Sequence, residues 1–226
     1  MRSGTMLNRS RPANPSRQPR SLERNQPAIM IEAHRPSARM AIEQRSLTLD
    51  EFLGLPEEEP ALELEPDGTV SQKVSPKGQH SILQLALCER INEFARPQYL
   101  ALAFPELRTV YAGAAYVPDV AVYRWHRIPR TSDGKVANEF REPPDIAIEI
   151  VSPEQSTNAL IRRSLWYVQH GVEIALLIDP SDDSVIRWHA QDPTAVLRRG
   201  DGISFGDVVP GLQLIVAELF DVLYLR

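Results

Sequence analysis

Apolar residues recur along the chain with two different spacings, and the changes between them predict the order of helices and strands. A helical spacing over residues 78–94 predicts a long helix, and a second helix is predicted over residues 157–170, where Gly171 ends it. Shorter helices are predicted behind Thr48 and over residues 217–223. Strands are predicted over residues 61–65, 69–74, 100–104, 107–111, 117–123, 145–151, 173–178, 184–188 and 212–215. This order predicts an α/β or α+β sandwich.

The long helix is predicted to bury one apolar face, which consists of Ile82, Leu85, Ala86, Cys88 and Ile91. Cys88 is the only cysteine of the chain, so no intrachain disulfide can form. On this face it is interpreted as a small core side chain without a chemical role.

The first 45 residues differ from the rest in composition and charge. They hold nine Arg, three Glu and no Lys or Asp, a net charge of +6, which leaves −11 for residues 46–226 out of a total of −5. Without hydrophobic periodicity this Pro- and Arg-rich stretch cannot offset its ordering entropy, so we predict a disordered basic tail over residues 1–45. Met30 and Met40 leave a later translation start as an alternative. Residues 46–226 form the predicted folded domain.

The composition of residues 46–226 narrows the classes of protein. An acidic body argues against generic nucleic-acid binding, because phosphate contacts need Lys or Arg, although a local basic cleft stays compatible with it. No apolar run reaches the roughly 18 to 20 residues that span a bilayer, and the amino terminus lacks the apolar centre of a secretory signal. We therefore expect a cytoplasmic protein without a membrane partner.

Two predicted strands each carry a carboxylate within an apolar stretch. Asp119 lies in the strand at residues 117–123 and Glu149 in the strand at residues 145–151. Because an ionised carboxylate is rarely buried unless it is paired or binds a cation, the two acids on neighbouring strands could form an oxygen-rich site for a hard divalent metal. From the residues alone, each acid could equally accept backbone hydrogen bonds at a strand end.

Several blocks of sequence around these acids resemble the Uma-two-like restriction endonuclease family, a branch of the PD-(D/E)XK nuclease superfamily. The similarity covers roughly residues 46–223 in the family's order. The matching blocks are VPDVAV at residues 117–122, PPDIAIEIVSP at 143–153, WYVQHGV at 166–172, ALLIDP at 175–180 and VPGL at 209–212. The resemblance implies a restriction-endonuclease-like core, with a central mixed β-sheet flanked by helices.

The resemblance also implies an activity, namely metal-dependent hydrolysis of DNA phosphodiester bonds. Asp119 and Glu149 would bind Mg²⁺ or Mn²⁺, and Glu63 corresponds to an early acid that could assist, with Glu65 as its rival. Mg²⁺ would lower the pKa of a bound water and needs few protein ligands. DNA is the implied substrate, and a homodimer is compatible with the superfamily.

The chain departs from the superfamily at the catalytic lysine. The motif places it two residues after the second acid, where this chain has Val151, and in this branch the corresponding cations are Arg162 and Arg163. Adjacent helical residues point about 100° apart, so only one is expected to face the cleft, and we favour Arg163. The predicted strands at residues 61–65 and 69–74 flank a Pro-Asp-Gly turn and form the first predicted hairpin. Lys73, in its second strand, could compensate for the missing motif lysine. The alternative is that all three are solvated surface charges.

Two other polar residues stay ambiguous in the sequence. His80, at the start of the predicted long helix, is either a phosphate contact or a helix cap, and Asp145 is interpreted as a turn residue before its strand. Loss of the motif lysine leaves a competing function, a catalytically impaired nuclease-fold module that binds DNA or protein. A third hypothesis is an acidic α/β interaction domain, which requires Asp119 and Glu149 to lie too far apart to share an ion.

Overall fold

The computed structural model describes residues 46–225, so the predicted disordered tail over residues 1–45 lies outside the described residues. Its first helix begins as the sequence predicts, because Thr48 and Glu51 form a reciprocal capping box. The helices are α1 (Leu49–Leu53), α2 (Gly78–Ala95), α3 (Thr157–Gln169) and α4 (Val216–Asp221), and a 3₁₀ turn spans Trp125–Arg127.

Twelve strands lie between these helices in the described part of the chain. They are β1 (Leu62–Leu64), β2 (Val70–Gln72), β3 (Ala101–Pro105), β4 (Thr109–Tyr111), β5 (Ala114–Tyr116), β6 (Val120–Arg124), β7 (Ile146–Ile150), β8 (Ile174–Asp179), β9 (Ser184–His189), β10 (Ala195–Leu197), β11 (Gly202–Ser204) and β12 (Gln213–Ile215). They form a six-stranded sheet in the order β10-β9-β8-β7-β6-β3, a four-stranded sheet in the order β2-β1-β5-β4, and the pair β11-β12.

The six-stranded sheet is mixed, which confirms the expected fold class. Strands β7 and β8 are parallel and joined by the crossover helix α3, whereas the other neighbours in this sheet are antiparallel. The side chains of β7 alternate between two cores. Ile146, Ile148 and Ile150 enter the main core with α2, while Ala147 faces the second core beside α3.

The predicted buried face of the long helix is correct for Ile91, which is buried, and for Cys88, which packs against the main core, but it is wrong for the first turns of the helix. Ile82 and Leu85 are 39% and 57% exposed, and the residues that α2 buries include Leu83, Leu87 and Ile91. The first turns of α2 are apolar on more than one side, so the pattern cannot choose between faces. Packing against the sheet selects the face that α2 buries. A helix rotated to bury Leu83 also directs His80, three residues earlier, toward Asp119.

Candidate active site

Asp119 lies directly before β6 and is almost fully buried, with 2% of its surface exposed. Its Oδ2 accepts a hydrogen bond from the Ile150 backbone N–H at 2.7 Å and contacts His80 Nε2 at 3.0 Å. Its Oδ1 accepts a hydrogen bond from Lys73 Nζ at 2.6 Å. Oδ2 therefore contacts two groups, Ile150 and His80, and Oδ1 contacts the Lys73 ammonium.

Glu149 lies within β7 and is 1% exposed. Its Oε1 accepts a hydrogen bond from the Tyr167 hydroxyl at 2.6 Å, and Arg163 Nη1 is 3.9 Å from the same oxygen. Tyr167 lies four residues after Arg163 on α3, so both side chains leave the same face of that helix. Sequence reasoning missed Tyr167, although this spacing indicates its direction.

The register of the sheet makes the two acids neighbours. Val120 on β6 pairs with Ile148 on β7, so the residue before Val120 stands opposite the residue after Ile148, and these are Asp119 and Glu149. Directly opposed side chains in antiparallel strands have Cβ atoms roughly 5 Å apart. This register does not favour the third hypothesis, which needs the two acids far apart.

Lys73 follows β2 and brings a buried cation to the two acids. Its side chain is 7% exposed, and its ammonium donates hydrogen bonds to Asp119 and, at 2.8 Å, to the Val117 carbonyl. The alternative of a solvated surface charge therefore does not describe this lysine. It reaches the site from the hairpin of the four-stranded sheet, whereas the motif lysine would come from β7 itself.

The two candidate arginines of α3 occupy different environments. Arg163 is 15% exposed, contacts Glu63 Oε2 at 2.7 Å and Glu65 Oε1 at 3.3 Å, and stacks over the Tyr116 ring at 4.6 Å. Arg162 is exposed and lines the cleft beside the acids, and no ion pair of Arg162 occurs among residues 46–225. Both arginines line the cleft, contrary to the expectation that only one would face it, and they differ because Arg163 is paired with protein carboxylates there.

Glu63 on β1 completes the buried charges. It is 2% exposed, accepts a hydrogen bond from the Val117 N–H at 2.9 Å, and pairs with Arg163. Its rival Glu65 is partly exposed and accepts a hydrogen bond from the Tyr116 hydroxyl. Three carboxylates, Glu63, Asp119 and Glu149, are thus buried together with the cations Lys73 and Arg163.

Asp145 takes no part in this cluster. It lies before the opposite end of β7, is 2% exposed, and accepts hydrogen bonds from the Arg124 N–H and from the guanidinium groups of Arg124 and Arg127. Four residues of extended chain separate it from Glu149 by roughly 13 Å. Its contacts anchor the start of the strand, in agreement with the turn interpretation.

Burial and charge move the pKa values of the two acids in opposite directions. Burial is the largest influence on both and raises them. For Asp119 the hydrogen bond from His80 and the charge of Lys73 outweigh burial, so its pKa lies below the usual value. For Glu149 burial and the nearby charge of Asp119 prevail over Arg163 and Lys73, and its pKa rises to about 8. Glu149 therefore holds a proton over much of the neutral range.

The raised pKa of Glu149 predicts a pH-dependent stability. Between about pH 4.5 and 8 the folded chain keeps a proton on Glu149 that the unfolded chain releases, so this residue lowers stability as pH rises through that window. Glu149→Gln removes the titration, and we expect its free energy of unfolding in EDTA to exceed that of the wild type by an increasing margin, on the order of a few kcal/mol at pH 8. Urea denaturation at pH 5, 7 and 8.5 measures the margin, and a margin independent of pH would contradict the prediction.

A cleft of about 700 Å³ opens beside these residues and is lined by Glu63, Glu149, Lys73, Arg162 and Arg163, among others. Within residues 46–225 no group of three or more acidic, His or Cys side chains already stands in a metal-holding arrangement. Lys73 and Arg163 occupy carboxylate oxygens there. Carboxylate oxygens are the donor type that a hard divalent ion prefers, so the donor set fits such an ion. Within the described residues Glu149 accepts its one hydrogen bond on Oε1, and Oε2 is the oxygen that could bind the ion.

The fold and the buried acids define a protein of the nuclease-fold class. The structure is similar to the crystal structure of "a putative nuclease belonging to DUF820" from Anabaena variabilis, with a TM-score of 0.76 and 38% sequence identity over 79% of this chain and 99% of that chain. The model of the Uma2 family, described as "Putative restriction endonuclease", matches residues 49–217. The chain belongs to the Uma2 family, which confirms the resemblance read from the sequence blocks.

Two further findings concern curated relatives and membrane-spanning helices. No curated protein matches the chain significantly. Within residues 46–225 no helix has the length and apolar character needed to cross a membrane. The homodimer that the resemblance allowed finds no support in these comparisons.

Proposed function

We propose that residues 46–226 form a metal-dependent endonuclease domain that hydrolyses DNA phosphodiester bonds with water activated by Mg²⁺ or Mn²⁺. The observation that carries the proposal is the register-matched pair of buried acids, Asp119 and Glu149, at adjoining strands in a chain of a restriction endonuclease family. Such a pair supplies oxygen ligands without needing a further protein group, because Mg²⁺ retains several waters.

Asp119 and Glu149 would hold the ion, with Glu63 as a third acid within the same charge cluster. When bound, a divalent ion lowers the pKa of a water molecule and stabilises the charge that develops on the phosphate. Asp119 offers Oδ1, since Ile150 and His80 hold Oδ2. Glu149 must release its proton before it can bind the ion. Because its pKa is raised to about 8, metal binding should be stronger at pH 8 than at pH 6.

The cations of the site would have two roles, compensation of the buried acids and contact with a substrate phosphate. Burial alone would lower the pKa of Lys73, yet Asp119 and Glu149 raise it above its usual value, and the pKa of Arg163 is raised as well. Both side chains stay protonated and so cannot accept a proton from water. They compensate the buried acids, whereas Arg162, which is exposed in the cleft, would contact a substrate phosphate through paired N–H donors. Cleavage would leave a 3′-hydroxyl, as the superfamily implies.

A nicking assay on supercoiled plasmid tests the proposal. We expect the wild type to convert plasmid to nicked and linear forms with Mg²⁺ or Mn²⁺ but not with EDTA. Glu149→Gln should be inactive, although it keeps the carbonyl that accepts the Tyr167 hydrogen bond. Equal nicking by the wild type and this variant would mean that a contaminating nuclease is responsible, and the proposal would fail.

A second candidate is a nuclease-fold module that binds DNA or protein without cleaving it. Val151 at the motif lysine position favours this reading. Isothermal titration of Mn²⁺ into the protein separates the candidates when it is combined with the nicking assay. Binding of Mn²⁺ without nicking supports the impaired module, and nicking supports the enzyme.

A further inference from the structure

Glu106 lies beside the proposed metal site but on the opposite side of Asp119 from Glu149. Pro105 on β3 pairs with Val120 on β6, so Glu106 stands opposite Asp119 in the sheet, and its backbone N–H donates to the Asp119 carbonyl at 3.1 Å. Glu106, Asp119 and Glu149 therefore form one row across three adjoining strands. Neighbouring strands are roughly 4.8 Å apart, so the row brings all three carboxylates within reach of one lysine.

The backbone of Glu106 is unusual for a residue with a side chain. Its φ is 45°, in the left-handed region that glycine adopts more readily. Residues held in this region occur where surrounding contacts impose the conformation, often at functional sites. The hydrogen bond from the Glu106 N–H to the Asp119 carbonyl holds this turn next to the site.

Lys73 lies between the two carboxylates. Its Nζ is 2.6 Å from Asp119 Oδ1 and 4.0 Å from Glu106 Oε1, and it also donates to the Val117 carbonyl. The Glu106 side chain is 47% exposed, so it keeps water around its carboxylate while Lys73 is bound to Asp119. Lys73 thus has a second acidic partner at the outer limit of ion-pair distance.

Metal binding and the Lys73 contact compete for one atom. Oδ2 of Asp119 already accepts from Ile150 and contacts His80, so an ion that binds Asp119 must take Oδ1, where Lys73 donates. Two cations cannot share that oxygen at close range without strong repulsion. The ammonium must therefore move while it remains in a buried site.

We propose that Glu106 is a positioning residue that receives the Lys73 ammonium when a divalent ion takes Asp119 Oδ1. The inference rests on the proposed function, because it requires the metal site of Asp119 and Glu149. Lys73 acts as a resident cation that neutralises Asp119 before the metal binds, and Glu106 keeps its charge compensated afterwards. The apparent metal affinity is then the intrinsic affinity multiplied by the fraction of molecules in which Lys73 has left Asp119.

A double-mutant cycle measured by isothermal titration of Mn²⁺ tests the exchange. Lys73→Met should bind Mn²⁺ about 10- to 100-fold more tightly than the wild type, because the competing state is removed. Glu106→Gln should bind it about two- to fivefold more weakly, the effect of losing one half-exposed ion pair. In the double variant Glu106→Gln should have no further effect, since no ammonium needs a partner.

Glu154→Gln provides the control for charge alone, because Glu154 lines the cleft, is 64% exposed and pairs with Lys77 instead of Lys73. Its effect on Mn²⁺ affinity should be equally small in the wild-type and the Lys73→Met backgrounds. Lys73→Gln keeps a donor for the Val117 carbonyl and replaces Lys73→Met if that variant does not fold.

The outcomes separate the two proposals. If Glu106→Gln weakens binding equally in both backgrounds, Glu106 acts only as a distant charge and the exchange is overturned. If Lys73→Met binds no more tightly than the wild type, the lysine does not compete and the exchange is again overturned. If neither the wild type nor Lys73→Met binds Mn²⁺, the metal site itself fails, and with it the proposed function.

Discussion

Replacing Asp119 by asparagine should abolish metal-dependent plasmid cleavage, with a loss of roughly 10³-fold or more. A divalent ion contributes several kcal/mol of transition-state stabilisation, and each ~1.4 kcal/mol corresponds to a tenfold change in rate. The amide cannot replace a charged ligand, and in either orientation its N–H₂ group faces a donor, the Lys73 ammonium or the Ile150 N–H. Initial rates of nicking at saturating Mn²⁺ measure the loss.

The same substitution should also destabilise the fold, so a compensated variant is needed. Asp119→Asn leaves the 7% exposed Lys73 side chain without its closest partner, and breaking a buried ion pair costs about 3 to 5 kcal/mol. Adding Lys73→Met removes the unpaired charge and should recover most of that stability. Cleavage should stay absent in the double variant, and recovered cleavage would show that Asp119 has only a structural role.

Replacing Arg163 should have a large effect on stability. Glu63 is 2% exposed and pairs with Arg163 at 2.7 Å, so Arg163→Met leaves a buried carboxylate without its guanidinium and should cost about 3 to 5 kcal/mol. The loss of the contact with the Tyr116 ring adds to this cost. Urea denaturation at pH 7 in EDTA measures the change in the free energy of unfolding.

The neighbouring Arg162 offers the matched control for this prediction. It is exposed and lines the cleft, so Arg162→Met should change stability by less than about 0.5 kcal/mol while it weakens DNA binding and shallows the salt dependence by about one phosphate contact. Fluorescence anisotropy with a labelled duplex in Ca²⁺ measures the binding. Equal destabilisation by the two variants would contradict the division between a structural and a substrate-facing arginine.

The elements and the family could be predicted from the sequence because their signals are local. The capping box at Thr48, the hairpin before Lys73 and the end of α3 at Gly171 each follow from a few adjoining residues, and the structure contains all three. The short strands β5, β10 and β11 were missed, because three residues are too few to show a period.

The direction of α2 and the contacts of the site could not be predicted from the sequence. Apolar residues on several sides of α2 left its buried face undetermined, and the packing of the sheet against that helix selected Leu83 and directed His80 to Asp119. Likewise, spacing put Arg162 and Arg163 on different sides of α3 without showing which side meets Glu63, since that depends on how α3 packs.

The sequence by itself determined the mixed α/β fold and the family, and it singled out Asp119 and Glu149 as candidates, because alternation along a strand and ordered blocks are properties of neighbouring residues. Only the tertiary structure decided which side chains meet those acids. Lys73, His80, Glu106 and Arg163 come from four separate segments, and sheet register and helix packing bring them to Asp119 and Glu149. Such contacts between distant segments depend on the geometry of the assembled sheet, which no local pattern records.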